Sequence, residues 1–228
     1  MLYRSNKLMY DRKTNTLWSS LLGVPVIGKL AQQDLKLQFF PVELTMWSEW
    51  LDEHPGTTVL SLETGYYSPK MYEPETDSES IYYDYRVSAE TMFPVWNRDD
   101  RLDTKDEVLG FSSDDSHKAY PVAIMRELRV VNDRVGEQDI VIISSANSSS
   151  IRIYEGGDYV FSLPLASDDG DGFPAILVDQ NGYEWTVTEG ALETETAEMP
   201  GLRRLPSHLS FWFGWFAFHP DTDLFENE

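Results

Sequence analysis

Alternation between apolar and polar positions runs through most of the chain and predicts strands. Glu107 to Phe111 and His117 to Val122 flank the polar turn Ser112-Ser113-Asp114-Asp115-Ser116 and read as a hairpin. Asp139 to Ser144, Ile151 to Tyr154 and Tyr159 to Leu163 are short apolar or alternating runs separated by Ser-, Asn- and Gly-rich turns. Ala175 to Asp179 and Tyr183 to Thr188 bracket Asn181-Gly182, a dipeptide suited to the positive φ angles of a tight hairpin turn. Lys7 to Tyr10 and Thr16 to Ser19 make the matching hairpin around Lys13-Thr14-Asn15.

Two segments break this alternation. Trp47, Trp50, Leu51 and His54 fall at i, i+3, i+4 and i+7, one face of a helix, with Thr45 placed to cap it and Pro55 to stop it. Trp212, Trp215, Phe216 and His219 repeat the spacing, with Ser210 as the expected cap. The two stretches, each Trp-x2-Trp-x3-His-Pro, align at a constant offset of 165 residues, Pro41 on Pro206 and His54 on His219. Upstream, Asp11 to Trp18 resembles Asp179 to Trp185 at nearly the same offset. The pattern predicts an internal duplication whose first copy is incomplete, because the strand-rich stretch 107–178 ahead of Asp179 has only ten residues as its counterpart ahead of Asp11.

The expected architecture is α+β, mainly β: two pseudo-symmetric lobes, each with a short aromatic helix laid on a sheet. The expected units are 1–62 (the partial first repeat), 63–105 (an irregular connector rich in Tyr, Pro, Glu and Ser) and 106–228 (the complete second repeat). Val59-Leu60 and Leu224-Phe225 continue each unit as a strand or a docked end. Periodicity does not choose between barrel and sandwich. Trp18, Trp47, Trp50, His54, Trp185, Trp212, Trp215 and His219 are assigned structural roles.

Composition narrows the partners. Eighteen basic against 39 acidic residues give a formal charge of −21, which opposes binding to phosphate backbones and to anionic membrane surfaces. It suits a solubilising surface or a salty medium. With no cysteine, the chain has neither a disulfide nor a thiolate metal site. The first residues lack the apolar core of a signal peptide, and the longest apolar run, Phe211 to Phe218, is too short to cross a bilayer as a helix, so no membrane insertion is expected.

No nucleophile elbow, phosphate-binding loop, dinucleotide fingerprint or His-Glu-x-x-His motif occurs, so no cofactor is assigned. Asp168-Asp169-Gly170-Asp171-Gly172 lacks the alternating ligand spacing of a calcium loop and reads as an acidic surface turn, leaving no metal site assigned. Ser144 to Ser150 reads as a polar turn. His54 and His219 suit helix ends, where the dipole favours a cation. His208 differs: its counterpart in the first copy is Glu43, the asymmetry expected of a site confined to one copy. Arg98 and Asp99, in Asn97-Arg98-Asp99-Asp100-Arg101, read as an ion-paired turn or a ligand clamp, and Asp133, in Asn132-Asp133-Arg134, as a turn or a catalytic acid.

Several motifs in one order carry a family resemblance: Met9-Tyr10-Asp11-Arg12 with Trp18, the Trp47 to Pro55 segment, Phe93-Pro94-Val95, Asn97 to Leu102, Lys118-Ala119-Tyr120-Pro121, Val131-Asn132-Asp133, and Leu205 to Trp212. Together they resemble the prokaryotic family called domain of unknown function 3179, over nearly the whole chain. The resemblance implies a setting that is often exported or membrane-anchored, and it brings no established activity. It also implies a fuller first unit with a Cys-Pro-x-Cys-like segment, where the second unit here has Ser144-Ser145-Ala146-Asn147. Chemistry resting on those cysteines would be beyond this chain alone. The functional expectation is a non-catalytic binding or interaction module with an unidentified protein or small-molecule partner. The alternative is an enzyme or metal-binding site at the lobe junction, drawing on His208, Arg98, Asp99 and Asp133.

Overall fold

The structure is a computed structural model and describes residues 2–165, 170–195 and 200–227. Along the chain come β1 (Leu2–Tyr3), β2 (Asn6–Asp11), β3 (Thr16–Ser19), β4 (Pro25–Ile27), α1 (Trp47–Glu53) and α2 (Tyr83–Val87). Then follow β5 (Glu107–Ser113), β6 (Ser116–Pro121), α3 (Val122–Leu128), β7 (Val130–Val135), β8 (Gln138–Ser144), β9 (Ile151–Glu155) and β10 (Phe161–Ser162). The last elements are β11 (Ile176–Asp179), β12 (Glu184–Val187), β13 (Ala191–Glu193), β14 (Leu202–Leu205), β15 (His208–Phe211), α4 (Trp212–Phe216) and β16 (Asp223–Leu224). The fold is α+β and mainly β.

Among the described residues three sheets form, ordered β1-β2-β3-β4, β10-β11-β12-β13-β14-β9-β8-β7 and β15-β5-β6-β16. The large sheet curls until β10 meets β7. There Asn132 Nδ2 donates to the Phe161 carbonyl and the Phe161 N–H donates to Asn132 Oδ1, both at 2.8 Å. Asn132 and Asp133 therefore lie inside β7 and do not form the expected turn. An asparagine amide offers the same donor–acceptor pair as a peptide group, so it can join two strands as readily as it can close a turn.

The curled sheet encloses Val141, Ile143, Tyr154, Phe161, Leu177, Trp185, Leu192 and Leu202. Ile140 and Ile142, pointing the other way from β8, join Leu109, Phe111, Tyr120 and Met125 in a second core beneath α3 and the β5–β6 hairpin. Both faces of β8 are thus covered, which explains its unbroken apolar run where a half-exposed strand would alternate. The Asn181-Gly182 hairpin is held by Asp179, whose Oδ1 accepts the N–H groups of Asn181 (2.8 Å) and Tyr183 (3.1 Å) while Oδ2 accepts Trp185 Nε1 (3.2 Å).

Both aromatic helices form, one residue later than their expected caps: Met46 and Phe211, in extended conformation, precede them in place of Thr45 and Ser210. Thr45 instead donates to Glu49, whose carboxylate also accepts the Met46 N–H, so the glutamate closes the first turn. The helices differ in burial. Trp212 is 1% exposed, whereas Trp47 is 47% exposed, and no residue of α1 is buried. Trp47 is therefore not the core residue that its spacing suggested. Among the described residues no helix is long and apolar enough to cross a membrane.

Candidate functional site

The β15-β5-β6 ladder sets His208 opposite Gly110 and His117 opposite Ser112. Beyond α4 the chain turns at His219, whose ring stacks on Trp215 and on His117, each with centroids 4.1 Å apart. Gly110 makes this possible: a Cβ there would meet the Trp215 ring at 2.2 Å. Trp215 is further fixed by its Nε1, which donates to Thr222 Oγ1 at 2.9 Å. Three of the four histidines are thereby gathered on one wall of a cleft of about 750 Å³.

The facing wall is the irregular segment around Leu37 to Pro41. Its Leu37 N–H donates to the Gly23 carbonyl at 2.8 Å, and Phe39 lies against Gly23, whose φ of +67° and lack of a side chain admit the ring. Phe39 then meets His208 edge to face, with centroids 4.7 Å apart. Lys36, Asp114, Asp115, Arg203 and Arg204 supply the charges of the rim.

Burial depresses all three imidazoles. His219 is held down to about 3, first by burial and then by His117, His208 and Lys36. Burial also lowers His208, and it lowers His117 against the opposing pull of Asp221 and Asp115. All three are neutral at pH 7, each with one donor and one acceptor nitrogen. His117 Nδ1 sits 2.8 Å from Ser112 Oγ. Among the described residues no protein hydrogen bond engages the ring nitrogens of His208 or His219, although His219 is only 7% exposed.

A pH dependence follows. The unfolded chain takes up the His219 proton near 6.5 and the folded chain only near 3, so the unfolded state holds more protons in between. His219 thus leaves stability intact above 6.5 and erodes it as the pH falls towards 3, by up to about 1.4 kcal/mol per pH unit. His219→Phe should keep the stack on Trp215 and flatten this slope, measured by urea denaturation at pH 7 and pH 5. An unchanged difference between the two pH values would remove His219 as the cause.

A family model described as "Protein of unknown function (DUF3179)" matches residues 1–222. The chain belongs to this family. No curated protein and no solved structure matches it.

Within this DUF3179 chain the four polar candidates from the sequence are not brought together. His208 lines the cleft. Arg98 and Asp99 border a separate hollow beside Trp212 and Phe213. There Asp99 pairs with Arg101 at 2.8 Å, and Arg101 holds its carboxyl below the usual range although burial works the other way. Among the described residues Arg98 donates to the Val95 carbonyl and Thr91 Oγ1, both at 3.4 Å. Asp133 accepts Tyr120 Oη at 2.8 Å and pairs with Lys118 at 2.7 Å. The Asp168 and Asp169 positions of the acidic turn lie outside the described residues.

Two cleft residues escaped the sequence. His117 sits in an ordinary Ser-His-Lys stretch after a turn, and Phe39 in a segment without periodicity. Only the strand register and the Gly23 contact bring them to His208.

Glu43, which the sequence offset of 165 aligns with His208, takes a different place. It is clamped between Arg152 (2.5 Å) and Arg204 (3.4 Å), with side-chain exposures of 8%, 5% and 7%, and accepts Ser150 Oγ. Glu49 follows it onto Ser145 and Ser148, so the serine turn anchors α1. Among the described residues, Glu53, His54 and Glu189 bring one possible metal-ligating atom each within 4.8 Å of one another, while the three cleft histidines form no such group. Glu53 and Glu189 are exposed, whereas His54 Nε2 is itself buried without a hydrogen-bond partner and lies 3.5 Å from Glu189.

Proposed function

We propose that the chain is a non-catalytic binding module that takes a small organic molecule into the histidine cleft. The carrying observation is that two neutral imidazoles, His208 and His219, line a cleft of about 750 Å³ and that, among the described residues, no protein hydrogen bond reaches the ring nitrogens of either. Unpaired polar groups in a half-buried wall cost free energy unless a ligand or water completes them. The volume lies within the usual span of small-molecule sites, and the mixture of aromatic wall and few polar groups is typical of them. The favoured ligand has a flat apolar body for Phe39 and Phe218. Its polar groups exchange hydrogen bonds with the imidazoles, and an acidic group faces Lys36.

The test is a fragment screen by melting-temperature shift on the full chain. Hits should weaken about tenfold in His208→Ala, the loss of one good hydrogen bond, and should perturb the His208, His219 and His117 ring resonances. Hits that bind His208→Ala and His219→Phe as well as the parent would sink the proposal, as would a screen without hits. The rival reading is a metal ion held by neutral imidazoles. It requires the ring nitrogens to close further than they do here, and zinc shifting all three rings together would favour it.

A further inference from the structure

The end of α1 and the turn between β12 and β13 bring Glu53, His54 and Glu189 together. His54 caps α1, and its N–H donates to the Trp50 carbonyl at 2.8 Å. Its ring stacks on Trp50 with centroids 4.1 Å apart, the separation also found between Trp215 and His219. Trp50 is fixed in turn through Nε1, which donates to Thr57 Oγ1 at 2.9 Å. Opposite, Glu189 sits in a fastened turn. Thr188 Oγ1 donates to the Ala191 carbonyl, and the Arg204 N–H donates to the Gly190 carbonyl, each at 2.8 Å.

The His54 side chain is 36% exposed, yet its Nε2 is buried and has no hydrogen-bond partner. A buried polar atom left in this way costs free energy that a bound ligand can recover. Nε2 lies 3.5 Å from Glu189 Oε1, and Glu53 Oε1 lies 3.6 Å from Arg152, both longer than an ordinary hydrogen bond. Glu53 and Glu189 border a hollow of about 250 Å³ with two further glutamates, Glu43 and Glu49. Those two are already engaged, Glu43 by Arg152 and Arg204 and Glu49 by Thr45, Ser145 and Ser148. Glu53 and Glu189 are the pair with coordinating capacity to spare.

We propose that Glu53, His54 and Glu189 bind a divalent transition-metal ion of the zinc type, with the remaining coordination position facing the hollow. Zinc bonds imidazole nitrogen and carboxylate oxygen at about 2.0–2.2 Å, which sets neighbouring donors of a tetrahedral site about 3.4 Å apart. His54 and Glu189 already stand near that spacing, and one ligand atom from each of the three residues lies within 4.8 Å of the others. The two glutamates are exposed, so rotation of their side chains closes the rest. Calcium and magnesium fit less well, because they take oxygen ligands and would leave the imidazole unused. The nearby charge of Arg152 is matched by Glu43 at 2.5 Å. None of the three ligands lines the histidine cleft, so this site does not depend on the molecule proposed there.

The test is calorimetric titration of the chelator-treated full chain with zinc chloride. It is run in about 0.15 M salt, which screens the loose attraction of any cation to a chain of charge −21. One zinc per chain is expected, shifting the His54 ring resonances and leaving those of His117, His208 and His219 in place. His54→Ala and Glu189→Gln should each bind at least about tenfold more weakly, since even outer-shell partners of a metal are worth that much. Glu189→Gln keeps the size of an exposed side chain, so it reads the site even if His54→Ala disturbs α1. Glu184→Gln removes the same charge from an exposed position of β12 and should bind as the parent does. Absence of saturable binding overturns the proposal. Equal binding by all three variants would mean an adventitious ion only, and overturns it as well. Binding lost in His208→Ala but kept in His54→Ala would place the ion in the cleft, with the same result.

Discussion

Trp215→Ala is expected to lower the unfolding free energy by about 3–5 kcal/mol, the range for deleting a fully buried tryptophan. Trp215 has no exposed surface, lies on Gly110, stacks on His219 and donates to Thr222. Its removal leaves a cavity that cannot collapse easily, because β5 and β15 are tied to each other from Glu107 to Gly110. It also leaves Thr222 Oγ1 without its donor and loosens the imidazole wall of the cleft. Trp47→Ala, at the matching position to Trp212, should cost less than about 1 kcal/mol, as is usual for exposed sites. Urea titrations of the two variants against the parent measure both. A loss below about 1 kcal/mol in Trp215→Ala would mean that the Trp–His stack is not part of the cooperative core.

This contrast marks where the sequence stopped being informative. Helix spacing placed both aromatic segments correctly, because the i, i+3, i+4, i+7 pattern reports local geometry, and the hairpins around Ser112 to Ser116 and Asn181-Gly182 followed from turn chemistry in the same way. Burial is not local. Trp47 and Trp212 have the same spacing, and whether each is covered is decided by a hairpin more than fifty residues away in the chain, or by its absence from that place. The curl of the large sheet was equally illegible. It is fastened through the side chain of Asn132, a residue whose ordinary preference is for turns.

The site shows the same division. His208 stood out in the sequence because the aligned position, at the offset of 165, is Glu43, and the structure places His208 on the wall of the cleft. His117 and Phe39 join it through strand register and a glycine contact, neither of which leaves a pattern in one sequence. Arg98, Asp99 and Asp133 are dense in charge, yet each satisfies a partner close at hand: Val95, Arg101, and Tyr120 with Lys118. Polar density alone did not distinguish a fastening from a site.

Glu43→Ala should be as damaging as the loss of a core tryptophan, for an electrostatic reason. Its carboxylate is the acid between Arg152 and Arg204, all three side chains being less than a tenth exposed. Burial opposes charge on Arg152, and the Glu43 carboxylate, by charge and hydrogen bond, outweighs it and raises the guanidinium above its ordinary value. Without that carboxylate two buried cations face each other, and breaking a buried pair in this way costs about 3–5 kcal/mol. Glu53, 3.6 Å from Arg152 but half exposed, can offset only part of it. The loss should persist in 1 M salt, because buried pairs are poorly screened, whereas an exposed pair such as Lys70–Glu79 is screened away. Thermal melts of parent and variant at low and high salt measure this, and a destabilisation that disappears in salt would show that the cluster is effectively solvated. Glu43→His should fail like Glu43→Ala. A neutral imidazole can accept one hydrogen bond but carries no charge to balance two buried guanidiniums.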